Sequence, residues 1–399
     1  MKVIYNFDEN RKIIKEELIF RINSNQEKLK EILEDYKSNF DIQIDNIYGE
    51  KKELFEIEDI NKDFTYVYNK TLGIKNLNSR LIYVNITNKK FNYNKFTNCD
   101  FNRIKFENCT FIGSTFIECN FTNIYFSNCN FEYDYSIISY FKNCVFNNCI
   151  FNKSNLKNAI FDETHIIMIK FILSSLKNVI FNKCNIKNII FTDCDLKSMK
   201  TIEANIDALS FEDEYLSKVD ENTFIDKLKI NNKDDKTYEK ISKYYKSISS
   251  VFEKNRLFNY AGEYFYLYKC SEQKYLKGVE KIKSYIFYYI CGYGERPTFA
   301  LITSLEIVFI FAILYMFFGL CINERIIHYD LNILFYLSRK IIYLDMIDCF
   351  YFSLATFTSV GYGDIFPIGY SILLSCLEMI LGVTMMGVWT ATLARKITR

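Results

Sequence analysis

The sequence predicts a multidomain chain: a repeat solenoid in the front half, a helical linker, and an all-α membrane domain with two crossing helices at the back. Three observations carry this. Every fifth residue from Leu81 to Phe211 is large and apolar, with only Ser136 and Thr201 as exceptions. Two long apolar segments, 298–322 and 368–394, hold one charge each, Glu306 and Glu378. Between them a shorter apolar stretch, 346–357, runs directly into a loop containing Gly361 and Gly363.

Bulk composition hides this division. The 399 residues carry a formal net charge of +2, which gives no reason to expect nucleic acid as a partner. The N-terminus turns polar by Asn6 and Asp8 and lacks the apolar core of a signal peptide, so the front portion is expected in the cytoplasm. Among 13 cysteines there is no C-x-x-C pair. Eight of them (Cys99, Cys109, Cys119, Cys129, Cys144, Cys149, Cys184 and Cys194) share one register of the repeat. Buried, unpaired thiols in a reducing compartment are the expectation.

Residues 1–80 mix helical and short apolar patterns and are expected to cap an open end of the solenoid. Residues 81–211 hold the repeat, whose period of five fits neither an α-helix nor a flat strand. Two positions before each large residue sits a smaller one, as at Asn94, Cys99, Cys109, Ser114, Ser154 and Ala159. This pattern resembles the pentapeptide-repeat family. The resemblance implies a right-handed quadrilateral β-helix, with both residue sets pointing inward and four repeats to a coil.

With coils of about 20 residues stacked at about 4.8 Å, Phe91, Phe111, Phe131, Phe151, Phe171, Phe191 and Phe211 should form one aromatic ladder. Phe106, Phe126 and Phe146 should give way to Ile166, Ile186 and Ile206 on another face. Cys109, Cys129 and Cys149 should form a thiol column, and the coil should bulge at Ile104, Ile124, Ile169 and Ile189. Some relatives mimic DNA with an acidic surface; here basic and acidic residues balance, which argues against that. A spacer, assembly or regulatory module is expected, an unidentified cytoplasmic ligand or protein being the alternative partner.

Residues 212–236 are charged and read as a linker. Residues 237–297 form a cytoplasmic helical linker, with two antiparallel helices joined near Lys254 and Arg256. Residues 278–291 read as an amphipathic interfacial helix, with Lys281 and Lys283 entering and Tyr285, Phe287 and Tyr288 along it. From residue 298 to 399 the pattern is a membrane domain. Lys281, Lys283 and Arg296 precede the first span and Arg395, Lys396 and Arg399 follow the second, placing both termini in the cytoplasm. Neither span carries an arginine series, so a voltage sensor is not expected. The segment 346–357 is too short to span and fits a re-entrant helix behind a polar turret, 323–345.

Directly after residue 357 the chain reads Thr358, Ser359, Val360, Gly361, Tyr362, Gly363 and Asp364. This matches the T-x-V-G-Y-G-D filter, and the whole of 298–399 resembles the two-transmembrane potassium-channel pore family. The resemblance implies K+ held at the carbonyls of Ser359, Val360, Gly361 and Tyr362, which replace the hydration shell of the ion. The Ser359 hydroxyl can supply an innermost ring of ligands where the family usually has Thr. Gly361 and Gly363 suit backbone angles closed to other residues. One loop per chain implies a homotetramer in a lipid bilayer.

Where the family often places a Trp pair and a carboxylate as filter support, this chain has Tyr351, Phe352 and Ala355. Gly382 and Gly387 match two inner-helix glycines, as a gating hinge or as sites of close helix packing. Glu378 is expected to pack behind the filter, and Glu306 to snorkel. The sequence predicts a potassium-selective channel of the bacterial cytoplasmic membrane, not an enzyme and without a cofactor. A weakly selective cation channel and a tethered scaffold with little conduction are the alternatives. With the sequence closing at Arg399, control of the pore is expected upstream.

Overall fold

A period of five builds walls, because each repeat pairs through one to four extended residues and then turns a corner. The computed structural model describes residues 6–40, 46–48, 63–73, 83–132, 137–228, 232–322, 325–329 and 339–398. Leu81, Ser136, Arg399 and parts of 1–80, of the first linker and of the turret lie outside the described residues. The chain divides into two units, Met1–Tyr275 and Leu276–Arg399.

Among the described residues of the first unit, three parallel sheets of nine, seven and seven strands form three walls. The fourth is a column of single bridges through Lys90, Thr110, Asn130, Asn155, Ser175, Asp195 and Lys218. Most corners use a left-handed residue, and φ is positive at Asn98, Asn108, Asn123, Asn128, Asn143, Asn148, Asn158 and Asn178. Asparagine tolerates this region better than other non-glycine residues, which accounts for its abundance here. Its amides also pair between coils: Asn128 donates to Asn108 and Asn148 to Asn123, both at 2.7 Å.

The coil length is not uniform. Phe96 pairs with Phe116 at 20 residues, but Phe116 pairs with Phe141 at 25 and Asn130 bridges Asn155. One extra repeat between Phe131 and Phe141 keeps the inward frame and moves every wall by one place. The expected ladder therefore breaks after Phe131, which meets Phe151 edge-on at 5.9 Å. Phe151 stacks on Phe126 instead at 4.5 Å, making the continuous ladder Phe106, Phe126, Phe151, Phe171, Phe191 and Phe211. Phe146 falls on Phe121 and leads to Ile166 and Ile186.

For the same reason Cys149 leaves the thiol column; Ser154 follows Cys129 and accepts its backbone N–H. Ile104, Ile124, Ile169 and Ile189 are buried and share one column with Cys149 and Leu209, where the expectation was a local bulge at each. The eight repeat cysteines are buried, and their thiols lean on carbonyls of the coil before, as Cys184 Sγ on Phe161 O at 3.3 Å.

Pairing also runs past 81–211 at both ends. Tyr66–Tyr68 lies on Lys95–Thr97, and Lys200–Ile202 on Phe224–Ile225. The cap expected of residues 1–80 is not what helix α1 (Phe7–Phe40) forms. It lies lengthwise on one wall: Arg11 pairs with Asp226 at 2.7 Å, Lys200 with Glu17 at 2.6 Å, and Asn25 accepts Ile138 N–H. From Arg11 to Asn25 the helix rises about 21 Å, close to the ~19 Å of four coil steps. The matched pitches let successive helix turns meet successive coils.

The C-terminal end of the solenoid is covered by α2 (Asp235–Lys254) and α3 (Phe258–Tyr275). Tyr264 bonds both N–H and C=O of Ile225, and Asn255 donates to Ser217 O. The segment read as one linker, 237–297, is therefore split: its helical pair belongs to the solenoid unit.

The second unit holds α4 (Gly278–Cys291), α5 (Pro297–Phe318), α6 (Arg339–Phe357) and α7 (Ser371–Ile397). Pro297 starts α5 where its missing N–H costs nothing. Helix α6 begins within the stretch read as turret, ahead of residue 346. A three-stranded antiparallel sheet joins Leu320–Ile322 to Arg325–Ile327 and to Ile365–Pro367, so the strand after Asp364 is tied to the end of α5. By length and composition α5 and α7 can cross a membrane.

Candidate functional site

The last turn of α6 does not end in free carbonyls. Thr358 N–H donates to Leu354 O, Ser359 N–H to Thr356 O and Val360 N–H to Ala355 O, at 3.0, 3.0 and 2.9 Å. The Thr358 hydroxyl also turns back to Leu354 O at 2.7 Å. Beyond it the backbone changes hand at alternate residues: φ is +58° at Ser359, +54° at Gly361 and +77° at Gly363, and is not positive at Val360 or Tyr362. A ribbon whose residues alternate between left- and right-handed regions turns successive carbonyls toward one side, whereas an ordinary strand alternates them. Two of the three left-handed positions are glycine. The third, Ser359, accepts about 1–2 kcal/mol of strain.

Tyr351 on α6 holds the far end of this ribbon. Its hydroxyl donates to Asp364 Oδ2 at 2.9 Å, and its ring stacks on Tyr362 at 6.1 Å and 11°. Phe352 faces the other way, edge-on to Tyr315 of α5 at 4.9 Å. Ala355 is buried and contributes its carbonyl, not a side chain. Val360 and Tyr362 are 54% and 72% exposed in the single chain.

Helix α7 crosses behind α6. Glu378 is fully buried; Tyr315 OH donates to its Oε2 at 2.7 Å, and the Ser353 hydroxyl bonds its other oxygen. Gly382 lies against the end of α6: a Cβ there would overlap Phe357 O and sit 2.8 Å from its carbonyl carbon. Around Gly387 a Cβ meets nothing within 4 Å. Of the two glycines, only Gly382 thus has a local packing reason to lack a side chain. Glu306 does not simply reach for water, since Tyr289 of α4 donates to it. At the other end of α7, Arg395 pairs with buried Glu295 at 2.8 Å.

The structure brings Thr358 to Asp364 and Tyr351 together, and sets Phe352, Gly382 and Gly387 elsewhere. Ser353 and Tyr315 escaped the sequence reading. An acid in an apolar span signals that partners exist, but a serine and a tyrosine among many do not announce themselves. Ser359 did leave a signal: it precedes Gly361 by the same two residues that separate Gly361 from Gly363.

A family described as ion channel matches residues 326–399. Pentapeptide repeats match 96–136 and 139–178, so the break between the two matches falls in the long coil. Among solved structures the chain is similar to HetL, a pentapeptide repeat protein involved in heterocyst differentiation regulation from the cyanobacterium Nostoc sp. strain PCC 7120. That similarity has 12% identity and a TM-score of 0.26, over 48% of this chain and 70% of HetL. Full-length QnrB1, a plasmid-mediated fluoroquinolone resistance protein, is similar at 10% identity and a TM-score of 0.17, over 44% of this chain and 92% of its own. No curated protein matches.

Fold and matches together define a membrane protein in which an ion channel domain is fused to a pentapeptide-repeat domain.

Proposed function

We propose that this protein is a potassium-selective channel subunit that assembles as a homotetramer in a bacterial cytoplasmic membrane. Both termini and the solenoid lie on the cytoplasmic side. The carrying observation is the alternation of backbone hand through Ser359, Gly361 and Gly363, within a T-x-V-G-Y-G-D sequence. Four such ribbons about an axis give rings of carbonyls from Ser359, Val360, Gly361 and Tyr362 that replace the water around a dehydrated K+. The ion is cargo, and its passage is knock-on between adjacent rings rather than catalysis. The exposed Val360 and Tyr362 are the surfaces that neighbouring subunits cover. The solenoid serves as an assembly or regulatory module.

Reversal potentials in bilayers with opposed K+ and Na+ gradients test this. The expected value lies near the potassium equilibrium potential; equal permeabilities make it a weakly selective cation channel. Gly361→Ala forces a side chain into φ +54° and should abolish current while the oligomer persists. Undiminished current in that variant would remove the ribbon from the conduction path.

A further inference from the structure

One face of α7 touches α6 at two heights, one helical turn apart. Glu378 meets Ser353 and Gly382 meets Phe357, so the whole last turn of α6 is seated on α7. The carbonyls of that turn, from Leu354, Ala355 and Thr356, are the ones that receive the N–H groups of Thr358 to Gly361. Between α7 and the ribbon there is therefore a single turn of helix. Helix α5 joins the same point, because Tyr315 takes the second oxygen of Glu378 and Ser353 Oγ lies 2.8 Å from Val308 O. A carboxyl group with no exposure is costly unless its bonds are made inside the protein, so the three helices are held in one mutual register.

We propose that Glu378 is the positioning residue of the pore: it fixes α5 and α7 against the last turn of α6, and through that turn sets the ribbon. The proposal rests on the reading of 358–364 as the filter. Any displacement of α7 then reaches the ribbon through Ser353 and Phe357. Glutamine can serve the same bonds. Its carbonyl accepts from Tyr315, its amide donates to Ser353, and the Ser353 hydroxyl donates to Val308 O. Alanine can serve none of them.

Amide hydrogen exchange of 353–363 in the full chain, read by mass spectrometry, tests the positioning without needing current. Glu378→Ala and Ser353→Ala should each speed exchange there about tenfold, the effect of one buried hydrogen bond of about 1.4 kcal/mol. The double variant should exchange more slowly than the product of the two single effects, since the singles share the Glu378–Ser353 bond although each also loses one of its own, and Glu378→Gln should follow wild type. In bilayers the alanine variants should lose K+ over Na+ preference and Glu378→Gln should retain it. Ser353→Ala keeps the Tyr315 bond and reports even where Glu378→Ala fails to assemble. Unchanged exchange in Ser353→Ala overturns the proposal, as does Glu378→Gln exchanging as fast as Glu378→Ala. If wild type does not distinguish K+ from Na+ yet the alanine variants loosen 353–363, the positioning stands and the filter reading falls.

Discussion

Replacing Gly382 by alanine separates the two roles open to it, because they predict opposite signs. As a hinge, Gly382 weakens α7, and alanine should stabilise the helix by about 1 kcal/mol. As a packing site, it makes room for Phe357. The new Cβ would lie 2.8 Å from the Phe357 carbonyl carbon and 3.0 Å from its Cα, and closer still to the oxygen. Carbon atoms rest at about 3.5–4.0 Å, so α6 and α7 must part by at least ~0.7 Å. Forcing one methyl into a filled contact costs about 1–3 kcal/mol, which outweighs the propensity gain. Gly382→Ala should therefore lower stability by up to about 2 kcal/mol, and the displaced turn should also disturb selectivity. Gly387→Ala, with open space around it, should be neutral or stabilising by up to ~1 kcal/mol. The single tryptophan, Trp389, lies on α7, so its fluorescence during thermal unfolding of the full chain reports this region. A Gly382→Ala protein that melts at or above wild type, with selectivity intact, refutes the packing argument and restores the hinge.

Two other perturbations rest on the same geometry. Tyr351→Phe removes the hydrogen bond to Asp364 and should speed the decay of K+ current during sustained opening; an unchanged decay would mean that Asp364 is anchored by other groups. In the solenoid, burial pushes the Cys149 and Cys184 thiols up to about 12 and Cys194 up to about 11. The unfolded chain releases these protons above about pH 8.5 while the folded one retains them, so their contribution should make stability fall as pH rises beyond that value. Urea midpoints between pH 7 and 10.5 measure this, and a midpoint that rises with alkali contradicts the burial argument.

The inward frame of the solenoid was legible because burial recurs at every fifth residue whatever the coil length. The coil length was not. An insertion of one repeat between Phe131 and Phe141 keeps the frame of five, and the exception at Ser136 looks the same as the one at Thr201, yet the insertion re-pairs Phe151, Phe146 and Cys149. Helix α1 was misplaced for a different reason. Its buried face sets Phe7, Ile14 and Leu18 among Arg11, Glu17, Arg21 and Asn25, so the apolar stripe is short and the partners of its polar residues are far away in sequence. The α2–α3 pair was read as linker because it precedes the first span, although Tyr264 and Asn255 bind the last coil. In the pore domain the glycines announced the ribbon, and the isolated acid at 378 announced a buried partner without naming Ser353 or Tyr315.

Solenoid and ribbon solve one backbone problem in two ways. Both place left-handed residues at regular intervals, at most of the corners five residues apart and at every second residue from Ser359 to Gly363. At a corner the strain of about 1–2 kcal/mol is offset at once, since the corner amide bonds the next coil, as Asn98 N–H does to Ile117 O at 2.9 Å. The ribbon has no next coil. Ser359 to Gly361 bond back to the end of α6, Tyr362 leans on Tyr351, and Val360 stays more than half exposed in one chain. What stacking does for the solenoid, lateral packing of further copies must do for the ribbon. In the proposed tetramer, assembly is therefore a condition for the filter's conformation as well as the source of its symmetry, and weakening the subunit contacts around Val360 and Tyr362 acts on selectivity before it acts on the spans.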